Sequence, residues 1–218
     1  MSEENDWLRL LKEAVSPLES GVRELRVTGY RPPDVPSCRP SRTAAVLVPV
    51  LDLPEPEIVL TRRADHLPQH PGQVSFPGGA AEEDDNSAVE TALREAFEEI
   101  GLPPDAARPI GFLDRMDTIS DYRVLPVVAL VKSQPPVKWV LERGEVAEVF
   151  TVPFSVALDA RRYVSYELDR QGPAARRVWS MDWNGQRIWG ATAAMLMNLI
   201  ERMERIRERQ TTAVGDRT

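Results

Sequence analysis

PGGAAEEDDNSAVETALREAFEEIGL, residues 77–102, runs from a glycine turn through an acidic loop into a single helix. Ser87 and Glu90 stand as S-x-x-E, the spacing of a capping box, which predicts a helix beginning near Ala88. Val89, Ala92, Leu93, Ala96, Phe97 and Ile100 recur at helical spacing and predict one apolar face. Gly101 falls where a left-handed C-cap residue belongs, and Pro103-Pro104 bars continuation. At about 100° per residue, Glu95, Glu98 and Glu99 cluster on the wheel, away from the apolar face. Carboxylates at i, i+3 and i+4 repel and weaken a helix by roughly a few tenths of a kcal/mol per pair. A cation among them removes that cost. An all-oxygen set of this kind suits Mg²⁺ or Mn²⁺. Arg94, one turn before Glu98, is placed to pair with it and fix its rotamer while leaving the metal positions open. The Gly78-Gly79 turn allows close backbone approach, so the Gly79 carbonyl could complete the metal shell and the turn's N–H groups could meet a phosphate. On charge alone the same acids would read as a solvated helix face.

The run from Arg94 to Leu102, REAFEEIGL, resembles the helical half of the Nudix box, G-x5-E-x7-R-E-U-x-E-E-x-G-U with U apolar. The loop half departs from it. Gly79 lies one residue further from Arg94 than the box has it, and Asn86 takes the place of the first glutamate, with Asp84 and Asp85 beside it. A second stretch, Val59 to Gly79, is similar to the extended motif of the coenzyme A pyrophosphatase branch, L-L-T-x-R-x-x-x-L-x-x-H-x-G-Q-x-x-F-P-G-G. Leu60, Thr61, Arg63, Leu67, His70, Gly72, Gln73, Phe76 and Pro77-Gly78-Gly79 match it, and Val59 replaces the first leucine. That branch also carries a loop longer by one residue.

The resemblance implies an α/β fold, the Nudix α/β/α sandwich with a mixed β-sheet between helices. It implies hydrolysis of a pyrophosphate in coenzyme A or a derivative, giving 3′,5′-ADP and 4′-phosphopantetheine. Glu95, Glu98 and Glu99 would hold Mg²⁺ or Mn²⁺ with the Gly79 carbonyl helping, supported by Arg94, Gly78 and Gly101. Arg63, His70 and Gln73 would position substrate, since arginine suits bidentate phosphate contacts. An acid between Glu142 and Pro153 would help bind metal or act as general base, with Glu145 ahead of Glu148; both also read as surface acids before a strand. A Nudix hydrolase acting on ADP-ribose, a dinucleoside polyphosphate or a damaged nucleotide stays open. So does a Nudix-like binding module without catalysis, against which the intact R-E-x-x-E-E argues.

Composition bounds these readings. A chain of 218 residues fits one domain with decoration. Its net charge of −7 argues against general binding to nucleic acid or to an anionic membrane, and an acidic enzyme acting on a polyanion needs cations at its site. Cys38 is the single cysteine, which excludes an internal disulfide and suits a reducing cytosol. No apolar run approaches the ~20 residues of a membrane span, and the start MSEE lacks the basic residues of a signal peptide. A cytoplasmic location is therefore expected.

Along the chain, residues 5–19 predict an amphipathic helix with Trp7, Leu8, Leu11 and Val15 on one side. Residues 31–42 form a Pro-rich arm, so 1–42 is expected to pack on a Nudix domain spanning 43–209. Strands are predicted over 44–51, 57–63, 110–113, 124–131 and 149–152. Pro49 suggests an edge strand or bulge. Residues 114–122 read as a polar loop over the site, with Ser120 and Tyr122 again similar to the branch, and 133–136 as a turn. Two or three strands around Asn184-Gly185 hold Trp179, Trp183 and Trp189 as packing groups. A helix over 191–208 and a disordered tail over 210–218 end the chain. The N-terminal arm and the tryptophan-rich end could serve a homodimer.

Overall fold

The structure is a computed structural model that describes residues 6–19, 25–29, 42–118, 121–132, 138–168 and 176–215. Cys38, most of the Pro-rich arm, Ser120 and the turn at 133–136 lie outside these residues.

Among the described residues, nine strands form one mixed sheet. They are β1 (Val27–Gly29), β2 (Arg42–Asp52), β3 (Glu57–Arg63), β4 (Val74–Ser75), β5 (Gly78–Ala80), β6 (Ala107–Phe112), β7 (Arg115–Asp117), β8 (Tyr122–Lys132) and β9 (Val146–Pro153). The path runs β1-β7-β8-β2-β3-β4, with β5 also on β2, β6 on β8 and β9 on β3. The β1–β7 and β2–β8 pairs are parallel and the others antiparallel. Helices are α1 (Asp6–Ala14), α2 (Ala88–Ile100), the short α3 (Phe154–Ala157) and α4 (Gly190–Gly215). A separate antiparallel sheet joins β10 (Val164–Leu168), β11 (Arg176–Trp183) and β12 (Gln186–Trp189), turning at Asn184-Gly185 as expected.

The alternation of side chains along each strand divides the core in two. Leu47, Val59, Val127, Ala129 and Val131 face Ala92, Ala96 and Ile100 of α2. Val48, Val50, Ile58, Leu60, Val128 and Leu130 face the other way, towards Leu10 and Leu11 of α1, Leu196, Leu199 and Met203 of α4, and Met181 and Ile188 of the small sheet. This is the expected α/β/α sandwich. Trp179 and Trp183 pack against the second core, and the Trp183 indole donates to the Thr151 carbonyl (3.1 Å). Among the described residues, no helix is long and apolar enough to cross a membrane.

Four local expectations are corrected. Pro49 lies in the middle of the sheet rather than at an edge, because β2 pairs with β8 along its whole length. On its other side β2 pairs with β5 at residues 44–46 and with β3 at 50–51. Leu47 N donates to Pro77 O on that side, so Pro49, two residues on, meets the gap between the two pairings and its missing N–H costs nothing. Residues 114–122 are not simply a loop, since they contain β7, paired to β8 and β1. The last helix runs on to Gly215 and takes in much of the expected tail. Finally, α2 is rotated relative to its predicted face: Phe97 is 53% exposed, whereas Thr91 and Glu99 are buried.

Candidate active site

Helix α2 begins as its sequence predicts. The Ser87 hydroxyl accepts from the Glu90 N–H (3.2 Å), and the Glu90 carboxylate reaches back to the Asn86 N–H (3.0 Å). It ends at Gly101, whose φ of 68° is the left-handed conformation that glycine adopts without strain.

Strand β5 fixes the site's second wall. A Cβ at Gly79 would come within 2.5 Å of the Glu95 carboxylate, so a larger residue there would displace that side chain. A Cβ on Gly78 would collide with the backbone of Ala45 and Val46 in β2. Because backbone cannot move aside as a side-chain tip can, Gly78→Ala is expected to cost about 1–3 kcal/mol. Thermal unfolding would register this as a lowered Tm.

The structure brings most of the predicted residues to one end of the sheet. Gly78 N donates to Glu99 Oε2 (3.2 Å), which ties β5 to α2. Arg94 Nη1 donates to both Glu95 Oε1 (3.1 Å) and Glu98 Oε2 (3.0 Å), and Nη2 to Ala80 O (3.0 Å). Arg94 therefore engages two of the three proposed metal ligands rather than standing clear of them. Its own orientation comes from Asp85, which takes Nε (3.1 Å) and Nη2 (2.9 Å) in a bidentate pair. Spacing from Arg94 had singled out Asn86, which instead bonds Glu90. The loop's acidity was the available signal for Asp85, but loop spacing does not say which of three neighbouring residues faces inward.

The base of the motif loop is closed by Arg63 N to Gln73 O (2.9 Å) and by Ala64 N to Glu145 O (2.8 Å). Within it, His70 Nδ1 lies 2.9 Å from Gln73 Oε1. These two side chains are thus engaged with each other. Arg63 differs: its Nε is buried with no hydrogen-bond partner among the described residues. Such a donor is costly unless a ligand supplies an acceptor.

Burial pushes the Glu99 carboxyl up to about 8, and the charges of Glu95 and Glu145 add to the rise while Gly78 N–H and Arg63 oppose it. Glu95 is also raised, chiefly by burial. Glu145 is thus close enough to act on both. Glu148 is not part of this group. It pairs with Arg62 across β3 and β9 and accepts from Gln186 of β12 (2.8 Å), on the face opposite α2.

In kind, this donor set fits a hard divalent cation: crowded carboxylates that repel one another, next to a backbone strand. Among the described residues, no three acidic, histidine or cysteine side chains already stand gathered for a metal. Arg94 holds Glu95 and Glu98 in that state. One prediction concerns the metal-free protein. Because the folded pKa of Glu99 lies above its ordinary 4.5, its contribution to stability is complete below about 4.5 and drains away as pH rises through about 8. Unfolding midpoints should fall over that range, and Glu99→Gln should flatten the fall.

A family model of the NUDIX domain matches residues 41–169. The chain belongs to the Nudix family. A relative from Yersinia pestis (strain Pestoides F), named as the uncharacterized Nudix hydrolase NudL, is 43% identical over 163 residues, covering 75% of this chain and 80% of its own. The NudL of Yersinia pseudotuberculosis serotype O:1b (strain IP 31758) matches equally. Among solved structures, a MutT/nudix family protein from Enterococcus faecalis aligns with a TM-score of 0.47 at 14% identity, over 80% of this chain and 65% of that one. An Ap4A hydrolase from C. elegans aligns with a TM-score of 0.45 at 19% identity, over 53% and 83%. Likeness of that degree says nothing of substrate. The chain is a Nudix hydrolase, and its departure from the Nudix box is local: where the box has its first glutamate, this chain turns to Asp85 to hold Arg94.

Proposed function

We propose that this Nudix hydrolase cleaves the pyrophosphate of coenzyme A or its derivatives, releasing 3′,5′-ADP and 4′-phosphopantetheine or its acyl derivative. The observation that carries the reading is the loop from Arg63 to Gln73. It has the residues of the coenzyme A pyrophosphatase motif, and its Arg63 presents a buried, unpartnered donor beside Glu99.

In this reading the Arg63 guanidinium meets a substrate phosphate oxygen, which satisfies Nε and neutralises developing charge. His70 and Gln73, bonded to each other, keep the loop's shape against the substrate. Glu145 accepts the proton of the attacking water as the new oxygen–phosphorus bond forms and the bridging bond breaks. Glu95, Glu98, Glu99 and the Gly79 carbonyl would hold Mg²⁺ or Mn²⁺, which would neutralise the pyrophosphate and activate water. Asp85 holds Arg94 independently of Glu98, so Glu98 would be able to bind the metal without freeing the guanidinium.

The test is to incubate the purified protein with coenzyme A, ADP-ribose and a dinucleoside polyphosphate, with Mg²⁺ or Mn²⁺, in ¹⁸O-enriched water. Metal-dependent release of 3′,5′-ADP, followed by mass spectrometry, is the expected result. Cleavage of the other compounds alone would discard coenzyme A while leaving the acidic helix in its role.

A further inference from the structure

On the opposite face of the sheet from α2, the end of α1, the middle of α4 and the link between β6 and β7 border an open pocket of about 290 Å³. Its charged lining is Arg26, Arg202, Arg205 and Arg209 against Glu13 and Asp114. Both carboxylates are already engaged. Glu13 accepts from Arg9 (3.2 Å) and Gln210 (3.1 Å), and Asp114 from Asn198 (2.7 Å) and Arg202 (3.1 Å). Arg202 also donates through Nε to Ala14 O (2.6 Å) and through Nη2 to Ser16 Oγ (2.7 Å). Among the described residues, Arg26, Arg205 and Arg209 have no carboxylate partner. Two of these charges, on Arg205 and Arg26, are felt at Arg202. Burial lowers its pKa, and the charges of Arg205 and Arg26 lower it further, against Asp114.

Three guanidinium groups without a carboxylate partner among the described residues line one small pocket and repel one another, although Arg205 also donates through Nε to the Glu201 carbonyl (3.1 Å). An anion relieves the repulsion. Arginine forks match oxygens in pairs, and several converging forks match a tetrahedral dianion better than a single planar carboxylate. The volume lies near the lower end of small-molecule sites, roughly 300–1,000 Å³, so it suits a phosphate group and not a whole dinucleotide.

We propose that this arginine-lined pocket is a second anion site, remote from the acidic helix, that binds a phosphate or small phosphomonoester. The proposal is independent of the substrate reading above. Calorimetric titration of the full, metal-free chain with inorganic phosphate tests it. The wild type and Arg63→Ala should bind alike, with affinity that falls as salt is raised. The Arg205→Ala/Arg209→Ala double variant, which alters side chains at the rim and not the Arg202 network, should bind about tenfold more weakly or worse. Its metal-dependent turnover should stay within about twofold of wild type. Arg209→Ala alone, at an exposed position, should weaken binding in the same direction and serves if the double variant folds poorly. Unchanged phosphate affinity in the double variant would overturn the proposal. So would loss of binding only in Arg63→Ala, acetate binding as well as phosphate, or no binding in the wild type.

Discussion

Glu98→Gln should lower turnover by about 100-fold or more while leaving the fold intact. The two effects separate because of where Glu98 sits. Its side chain is 55% exposed and pairs with Arg94 at 3.0 Å, so the amide forfeits one solvent-screened ion pair, worth roughly 0–1 kcal/mol. For a cation, the same change removes a charged oxygen ligand at the most accessible of the three acids. A hundredfold loss corresponds to about 2.7 kcal/mol of transition-state stabilisation. Circular dichroism and urea unfolding should match wild type while the rate of product release collapses. Near-normal turnover in a folded Glu98→Gln protein would sink the assignment of this face to metal.

Asp114→Ala should have the largest effect on stability, about 3–5 kcal/mol, with a Tm lower by about 10 °C. Asp114 is the carboxylate that answers Arg202, itself mostly buried, and it also accepts from Asn198. Removing it leaves a guanidinium charge and an amide donor inside the α1–α4 contact without that partner. Replacing the pair together, as Asp114→Leu with Arg202→Met, should recover much of the loss, because the desolvated charges then disappear as a set. A double variant no more stable than Asp114→Ala would show that shape, not charge, governs this contact. Turnover of the proposed substrate, coenzyme A, is the control: an effect on stability alone is expected far from α2.

The parts of this fold that were legible in the sequence are those written in short spacings. The S-x-x-E cap, the glutamate triplet and Gly101 lie within fifteen residues, and each acts through neighbours one turn away. The strands likewise follow from runs of β-branched and apolar residues. The rest depends on contacts distant in sequence. Arg202 meets Asp114 across 88 residues, and no local pattern marks either as a buried pair. Phe97 fits the helical period as well as Ala96 does, but β5 and β2 take the face that includes Glu99 and leave Phe97 outside. Asp85 was hidden by a loop one residue longer than the box. Pro49 misled because a gap between two pairings can accept a proline at the centre of a sheet.

The β2–β8 pairing, described above as the middle of the sheet, also governs when the protein can fold. It aligns eleven residues of each strand in parallel, from Arg42 beside Tyr122 to Asp52 beside Lys132, always eighty positions apart in the chain. Closing so long a loop comes before its reward, which slows folding. During synthesis α2 is complete well before β8 emerges, so the helix and its bed of β2 and β5 must wait for the strand that pairs along the whole of β2. A nascent chain that stalls short of residue 122 carries the whole glutamate motif with β2 and β5 beside it, but lacks β8, the strand that holds β2 in the middle of the sheet.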